Sequence, residues 1–128
     1  VMHMAETAIN TAKVMQLFAL FANLSVTDQW RGIAEAAIVQ TERELRADAD
    51  CTDIRLCYYA AALANLQYRR IIAAQGAISP TYAGAVTAKR DDTVPCTLAE
   101  RLAAAYRDAA SDLLLPALRD GFVFCGVR

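Results

Sequence analysis

The stretch from Asp53 to Gln75, DIRLCYYAAALANLQYRRIIAAQ, decides the fold of this chain. Its apolar and small residues occupy nearly every direction around a helical projection, so they do not fit one stripe about 100° wide. A helix that is apolar most of the way round belongs in an interior, where other elements cover it. The uninterrupted apolar run from Leu56 to Ala64 is far shorter than the roughly 18 residues that a membrane span needs. The pattern therefore predicts a buried core helix.

Length and composition agree with one small helical domain covering residues 1–128. A chain of 128 residues can bury a core without covalent staples. Hydrophobic residues make up 56% of the chain, and many of them are alanine, which favours helix. The net charge of −1 does not fit a nucleic-acid binder, which usually has a strongly basic face. The apolar excess suggests that a second chain covers part of the surface.

Three amphipathic helices are predicted around the core helix, because apolar residues recur at spacings of three and four. They are expected at about residues 6–23, 27–46 and 97–114. The apolar face of the first includes Leu17 and Leu20, and that of the last includes Leu98, Leu102 and Ala105.

Residues that favour helix ends mark the boundaries of the third and fourth helices. Thr52 is the predicted N-cap of the core helix, and Gly76 is predicted to end it. Thr97 is predicted to cap the last helix in a capping box with Glu100. Pro116 should end or kink that helix near Leu114, because proline disrupts a helix interior.

Two segments are not helical by pattern. Residues 78–94 form an arm that holds a short predicted strand, Gly84–Ala88 with Val86 facing inward, followed by the charged run Lys89-Arg90-Asp91-Asp92. So long an excursion suggests a functional arm or one ordered by a partner. The fold class is therefore mainly α, a four-helix bundle-like domain with a short β-strand in an arm between the third and fourth helices and a short C-terminal strand.

The C-terminal strand is predicted at 121–127 and is apolar on both faces. Phe122 and Phe124 share one face, while Val123 and Val127 take the other. An exposed strand edge of this kind needs a partner, in its own chain or in another.

The cysteines and the histidine do not form a metal site. Cys51, Cys57, Cys96 and Cys125 have no C-x-x-C spacing, and His3 is the only imidazole. The first residues lack the basic and apolar regions of a secretory leader. We therefore expect four free thiols in a reducing cytoplasm.

No catalytic constellation is visible either. Phosphate-loop, nucleophile-elbow and zinc-protease motifs are absent from the sequence. Asp48 and Asp50 lie in an acidic loop that lacks the roughly six oxygen ligands and the glycine of a calcium loop. We expect no enzyme activity, no cofactor and no metal.

Several aromatic and basic residues allow two interpretations each. Tyr58, Tyr59 and Tyr68 could line a ligand pocket, but core tyrosines with hydroxyls near the rim are the favoured interpretation. Arg69-Arg70 could bind an anion, but placement against the helix dipole near the end of the core helix is the plainer account. Trp30 is interpreted as a core anchor rather than an interface hot spot.

The order of elements resembles that of the small head–tail connector (neck) proteins of long-tailed bacteriophages and prophages. Four stretches carry the resemblance: Thr41–Arg46 before the acidic loop, the alanine-rich Leu56–Ala64, Gly84–Ala88, and Leu114–Phe124 with its Leu-Arg-Asp-Gly-Phe-Val-Phe ending. Ala85 departs from the aspartate expected in the family, which puts a polar role at that position in doubt.

The resemblance implies a non-enzymatic virion component that packs as a ring between portal and tail, in the virion or the cytoplasm of a bacterial host. Its partners would be copies of itself and the portal and tail-side proteins, with neither nucleic-acid specificity nor a membrane. The interface residues expected on this basis are Val86, Lys89, Arg90, Phe122, Phe124 and Val127. Two alternatives are a small bacterial protein-interaction or regulatory module, and an enzyme with a ligand near Tyr58, Arg69 or Arg70.

Overall fold

A computed structural model describes residues 9–25, 28–77 and 93–116 of the chain. This part of the protein is mainly α and contains four packed helices. They are α1 (Thr11–Ala22), α2 (Arg31–Arg43), α3 (Ile54–Ala77) and α4 (Thr93–Ala109), with short 3-10 turns at Asp28–Trp30 and Ser111–Leu113.

The predicted core helix is α3, and it occupies the centre of the bundle. It packs against each of the other three helices, and α1 also packs against α2. Burial is nearly complete over its first half, at Leu56, Cys57, Tyr59, Ala60, Ala61, Ala62, Ala64, Asn65 and Leu66. The prediction of a buried core helix is confirmed for this half, whereas Gln67, Arg70 and Ala74 beyond it are exposed.

Contacts along α3 fix the direction of α4. Near the start of α3, Arg55 donates to the carbonyl oxygen of Ala109 at the end of α4, and further along, the Cys96 thiol contacts the carbonyl oxygen of Arg69. The two helices are therefore antiparallel.

The other two helices complete an up-down-up-down order. Near the start of α3, Tyr59 donates to Glu44, which follows α2, and further along α3 the Tyr68 ring meets Trp30, which precedes α2. Hence α2 is antiparallel to α3. The start of α1 at Asn10 contacts Cys57, and its end at Ala22 accepts from Arg69, so α1 runs in the direction of α3 and is antiparallel to α2.

The first helix has well-formed caps. The Asn10 side chain accepts a hydrogen bond from the backbone N–H of Lys13 at 3.1 Å. At the other end Asn23 takes the left-handed conformation with φ of 59° and donates to the carbonyls of Ala19 and Leu20. The predicted start near residue 6 lies outside the described residues.

The predicted ends of α3 are wrong by one or two residues. Asp53 rather than Thr52 caps it, since Asp53 Oδ1 accepts from the Arg55 backbone N–H at 2.9 Å, while Thr52 bonds to Asp50. Gly76 does not end the helix, which continues to Ala77. Packing of the preceding turns on neighbouring helices outweighs the modest helix cost of one glycine.

The predicted start of α4 at Thr97 is also wrong. The helix begins at Thr93, so the last two residues of the predicted 78–94 arm are helical and Thr97 lies inside the helix. Pro95 is compatible with this start, because a proline in the first helical turn removes no intrahelical hydrogen bond. The helix ends at Ala109, earlier than Pro116 suggested, and a 3-10 turn leads on to Leu114.

Some of the apolar residues that were expected on the buried faces of α1 and α4 are exposed in the structure. Leu20 is 70% exposed and Leu98 is 56% exposed, and Ala105 is also exposed. On α4 the buried positions are Ala99 and Ala103 instead. Alanine lets two helix backbones approach closely, so small residues rather than leucines face the alanine-rich surface of α3.

The two predicted strands, Gly84–Ala88 and 121–127, lie outside the described residues, and the part of the chain that is described contains no β-strand. None of its helices has the length and apolar character needed to cross a membrane.

Candidate functional site

All six predicted interface residues lie outside the described residues: Val86, Lys89, Arg90, Phe122, Phe124 and Val127. The structure instead defines the surfaces that adjoin them. One is the start of α4, which follows the arm, and the other surrounds Pro116, after which the C-terminal segment continues.

The chain around Leu114 is fixed to the end of α2 by an isolated antiparallel bridge. Leu45 pairs with Leu114, and the backbone N–H of Arg46 donates to Leu113 at 3.0 Å. The N–H of Leu115 donates to the carbonyl of Glu44 at 2.7 Å. The bridge places the chain leaving Leu115 next to the C-terminal end of α2.

A polar network reinforces this end of the bundle. The Tyr59 hydroxyl donates to Glu44 Oε1 at 2.9 Å, and Arg107 lies 3.2 Å from the same oxygen. Arg107 also donates to the carbonyl of Leu115 at 3.0 Å. Burial and the neighbouring Glu44 carboxylate raise the pKa of Tyr59 above its usual range. The network joins α2, α3, α4 and the chain end, which is a structural role.

A second charged cluster joins the start of α3 to the residues after α4. The Arg55 guanidinium lies 2.9 Å from a carboxylate oxygen of Asp53 and 2.9 Å from one of Asp112. Hydrogen bonds from Arg55 hold the pKa of both carboxyl groups below the usual range. Sequence reasoning missed both networks, because their members are far apart in the chain and no local motif links them.

An open apolar groove of about 310 Å³ runs between α2 and the later turns of α3. Its lining residues are Gly32, Ile33, Ala36, Ala37, Gln40, Leu63, Gln67 and Ile71. The polar members are the exposed amides Gln40 and Gln67, which can each donate and accept. At Gly32 an added side-chain carbon would meet nothing within 4 Å, so this part of the groove is open.

Two large apolar side chains are exposed on the first turns of α4. Val94 is 61% exposed and Leu98 is 56% exposed, and their spacing of four places them on the same side of the helix. Val94 is the last residue of the predicted 78–94 arm, and Leu98 lies one helical turn beyond it. Single exposed apolar residues are ordinary, but a pair next to a segment expected to bind a partner is a candidate contact surface.

The tyrosines and Trp30 belong to the core, as predicted. Tyr58 and Tyr106 lie with ring centroids 5.3 Å apart, and Trp30 meets Tyr68 edge-on at 5.0 Å. Phe21 stacks on Tyr106 at 5.7 Å. The aromatic side chains thus fill the space between helices.

The two arginines take different roles from the predicted one. Because α3 continues to Ala77, Arg69 and Arg70 are not in its last turn. Arg69 lies over the Tyr68 ring and donates to the carbonyl of Ala22 at 3.4 Å, at the C-terminal end of α1, where a cation is favourable. Arg70 pairs with Glu100 at 3.4 Å on the surface.

The described cysteines are free thiols: Cys51, Cys57 and Cys96. Burial raises the pKa of the Cys57 thiol and, together with nearby carboxylates, that of Cys51, which disfavours the reactive thiolate. Cys125 lies outside the described residues. Within the described ranges, no three His, Cys, Asp or Glu side chains are grouped closely enough to hold a metal ion.

The acidic loop is held by local hydrogen bonds. Asp50 Oδ1 accepts from the Thr52 backbone N–H at 2.9 Å and from its hydroxyl at 2.6 Å. These bonds lower the pKa of Asp50. The carboxylate is used within a turn, which fits the predicted solvated loop.

No model of a known protein family matches the chain, and neither a curated protein nor a solved structure matches it.

Proposed function

We propose that this chain is a structural, non-enzymatic head–tail connector protein of a phage or prophage, which associates with itself as a ring between portal and tail. The proposal rests on the resemblance of the four sequence stretches given above. It is supported by a helical scaffold whose described surface offers apolar contact positions.

The observation that carries the self-association is the exposed pair Val94 and Leu98 beside the arm. A second chain that covers these side chains removes apolar surface from water, which favours association. In a ring each subunit gives one surface and receives another, so the contact is head-to-tail. We assign the giving surface to the arm and the first turns of α4.

The central helix suits this role because the folding of the bundle does not depend on the surface that contacts neighbours. Its first half is buried by the other helices of the same chain. The arm and the exposed start of α4 are thus left for neighbours, with Val86, Lys89 and Arg90 as the proposed contacts.

Size-exclusion chromatography with light scattering tests the proposal. We expect the full chain to form a closed assembly whose mass is a fixed multiple of the subunit. Replacing residues 78–92 by a short flexible linker should reduce that mass while leaving the helical circular dichroism unchanged. An assembly of unchanged size after this replacement contradicts the assignment of the arm.

Point variants test whether the contact between subunits lies at the start of α4 or elsewhere on the surface. Val94→Ser combined with Leu98→Ser should weaken assembly, since both side chains are exposed and contribute little to the fold. Ile54→Ser is the matched control, because Ile54 is 50% exposed at the start of α3, at the opposite end of the bundle from the first turns of α4. Equal loss of assembly in the control and the α4 variant would show that the contact is not at α4.

The alternative of a bacterial interaction or regulatory module differs in its genetic setting. A connector gene is expected beside portal, capsid and tail genes, whereas a regulatory module is not. A genome in which none of these genes lies nearby, together with a chain that stays monomeric at high concentration, supports the alternative.

A further inference from the structure

The groove between α2 and α3 is apolar and faces outward, and nothing among the described residues fills it. Ile33, Leu63 and Ile71 are each only partly buried. A cavity of about 310 Å³ is at the lower end of the size of small-molecule pockets, which suits a few apolar side chains. Covering it removes apolar surface from water and is therefore favourable.

We infer that this groove is the docking site of the protein's own C-terminal segment, residues 117–128, with the apolar face of Phe122 and Phe124 seated in it. The inference does not rest on the proposed connector function.

The first argument is where the described chain ends. Leu115 is hydrogen-bonded to Glu44 directly after α2, and the antiparallel bridge turns the chain so that it continues toward α2. Gln40, which lines the groove, is one helical turn away and donates to Glu44 Oε2 at 3.4 Å. Pro116 therefore lies next to one end of the groove.

The second argument is length. From Glu44 to Ile33, α2 rises about 16 Å. The chain from Pro116 to Phe124 spans up to about 26 Å when extended. An extended segment can therefore carry Phe122 and Phe124 along the full length of the groove.

The third argument is chemical fit. The segment ALRDGFVFCGVR supplies large apolar side chains with few charges between them, and the groove supplies an apolar floor. An extended segment also brings backbone N–H and C=O groups that need partners. The amides of Gln40 and Gln67 at the groove can donate to and accept from such a backbone.

A tethered segment is favoured over a neighbour's. Because residues 117–128 start beside the groove, their effective concentration there is in the millimolar range expected for short linkers. A segment from another copy has to compete with that value. The occupant is therefore expected to come from the same chain.

Site-specific photocrosslinking tests the inference. Phe124→p-benzoylphenylalanine places a photoreactive ring of similar shape on the face proposed to dock. Irradiation should join position 124 to groove residues such as Ile33, Ala36 or Leu63, as mapped by mass spectrometry. The same photoreactive residue at Asp120, which precedes the predicted 121–127 strand, is the control and should give little of this crosslink.

A mixture of ordinary and heavy-nitrogen protein distinguishes the source of the segment. Crosslinks within single chains support the inference, and crosslinks between differently labelled chains overturn it in favour of a neighbour's segment. No crosslink in the groove above the Asp120 control also overturns it.

A second variant fills the groove with a large side chain. Ala36 is exposed on α2, so Ala36→Trp should fill the groove without disturbing the core and should abolish the crosslink. Ala104→Trp, at an exposed position on α4, should leave the crosslink intact. Equal crosslinking in both tryptophan variants shows that the segment binds elsewhere. Because assembly size is not the readout, failure here leaves the connector proposal standing.

Discussion

Tyr59 and Asn65 are both buried on α3, but their polar side-chain atoms differ in hydrogen bonding. The hydroxyl of Tyr59 donates to a carboxylate, whereas Asn65 Oδ1 has no hydrogen-bond partner among the described residues. A buried polar atom without a partner carries a desolvation cost of about 1–3 kcal/mol. Removal of the polar group is therefore expected to change the free energy of unfolding in opposite directions at the two residues.

Tyr59→Phe should destabilise the fold. It removes one hydrogen bond to a charged group and leaves Glu44 paired with Arg107, so we expect a loss of about 1–2 kcal/mol in the free energy of unfolding. Guanidinium chloride denaturation measures it. Tyr58→Phe is the control, because the contacts of Tyr58 in the described chain are ring contacts. A loss no greater than in the control means that the hydrogen bond does not stabilise the fold.

The same hydroxyl gives a pH dependence. Burial and Glu44 raise the pKa of Tyr59 in the folded protein above the unfolded value of about 10. The folded state thus holds this proton more tightly, so its contribution is complete below about pH 10 and is lost as pH rises further. We expect the stability difference between wild type and Tyr59→Phe to shrink in alkaline thermal melts. A difference that stays constant across this range contradicts the assignment.

Asn65→Ala should leave stability unchanged or increase it by up to about 1 kcal/mol. The substitution removes an amide oxygen that has no partner and places the best helix former in the middle of α3. The neighbouring Leu66→Ala is the contrast, since it deletes a buried apolar side chain and should cost about 2–3 kcal/mol. Thermal melts compare the two. A large loss in Asn65→Ala would reveal a partner for the amide.

At the scale of elements, periodicity predicted the helices but not which face of α4 is buried. Leu98 has the higher hydrophobicity, yet Ala99 and Ala103 take the buried positions. The choice depends on the partner surface, because alanines on α3 admit a close neighbour with small side chains. A single-helix pattern contains no information about the size of the facing residues. The capping-box pattern of Thr97 and Glu100 misplaces the start of α4, because Pro95 is compatible with a first helical turn and the helix begins at Thr93.

The residue pattern of a single helix does not predict the polar clusters that join different elements. No local motif in the sequence gives Arg55 a role, because its partner Asp112 follows α4. Only the antiparallel packing of α3 and α4 brings them together. The groove is likewise a product of packing, since the apolar periodicity of α2 and α3 does not show that the two helices leave a gap between Ile33 and Ile71.

Arg55→Gln tests the cluster through its pH dependence. Arg55 lowers the pKa values of Asp53 and Asp112 in the folded state. Their contribution is therefore present above the unfolded pKa of about 3.9 and is lost as pH falls through the lower folded values. Wild type should lose stability over this acidic range, and Arg55→Gln should be less stable at neutral pH with a flatter acidic profile. Arg31→Gln, which breaks the exposed pair with Glu35, should follow wild type.

At the scale of the whole molecule, α3 couples the other three helices. Each of them packs on it, so opening the first half of α3 exposes surface from all four. A buried group on this half is therefore expected to become accessible only when the whole bundle opens, which makes it a reporter of global unfolding.

Cys57 provides that reporter. It is 5% exposed, and burial raises its pKa, while Cys51 and Cys96 are partly exposed. With a thiol reagent at neutral pH, and with mass spectrometry to assign each site, Cys51 should react quickly and Cys57 slowly. When opening is fast relative to labelling, the labelling rate of Cys57 follows the unfolding equilibrium. If Leu66→Ala destabilises the fold by about 2 kcal/mol, it should raise the labelling rate of Cys57 on the order of 30-fold. The Cys51 rate should barely change, because its exposure does not require opening. If Cys57 instead reacts as fast as Cys51 in the wild type, the first half of α3 opens independently of its neighbours and cannot be the element that holds the bundle together.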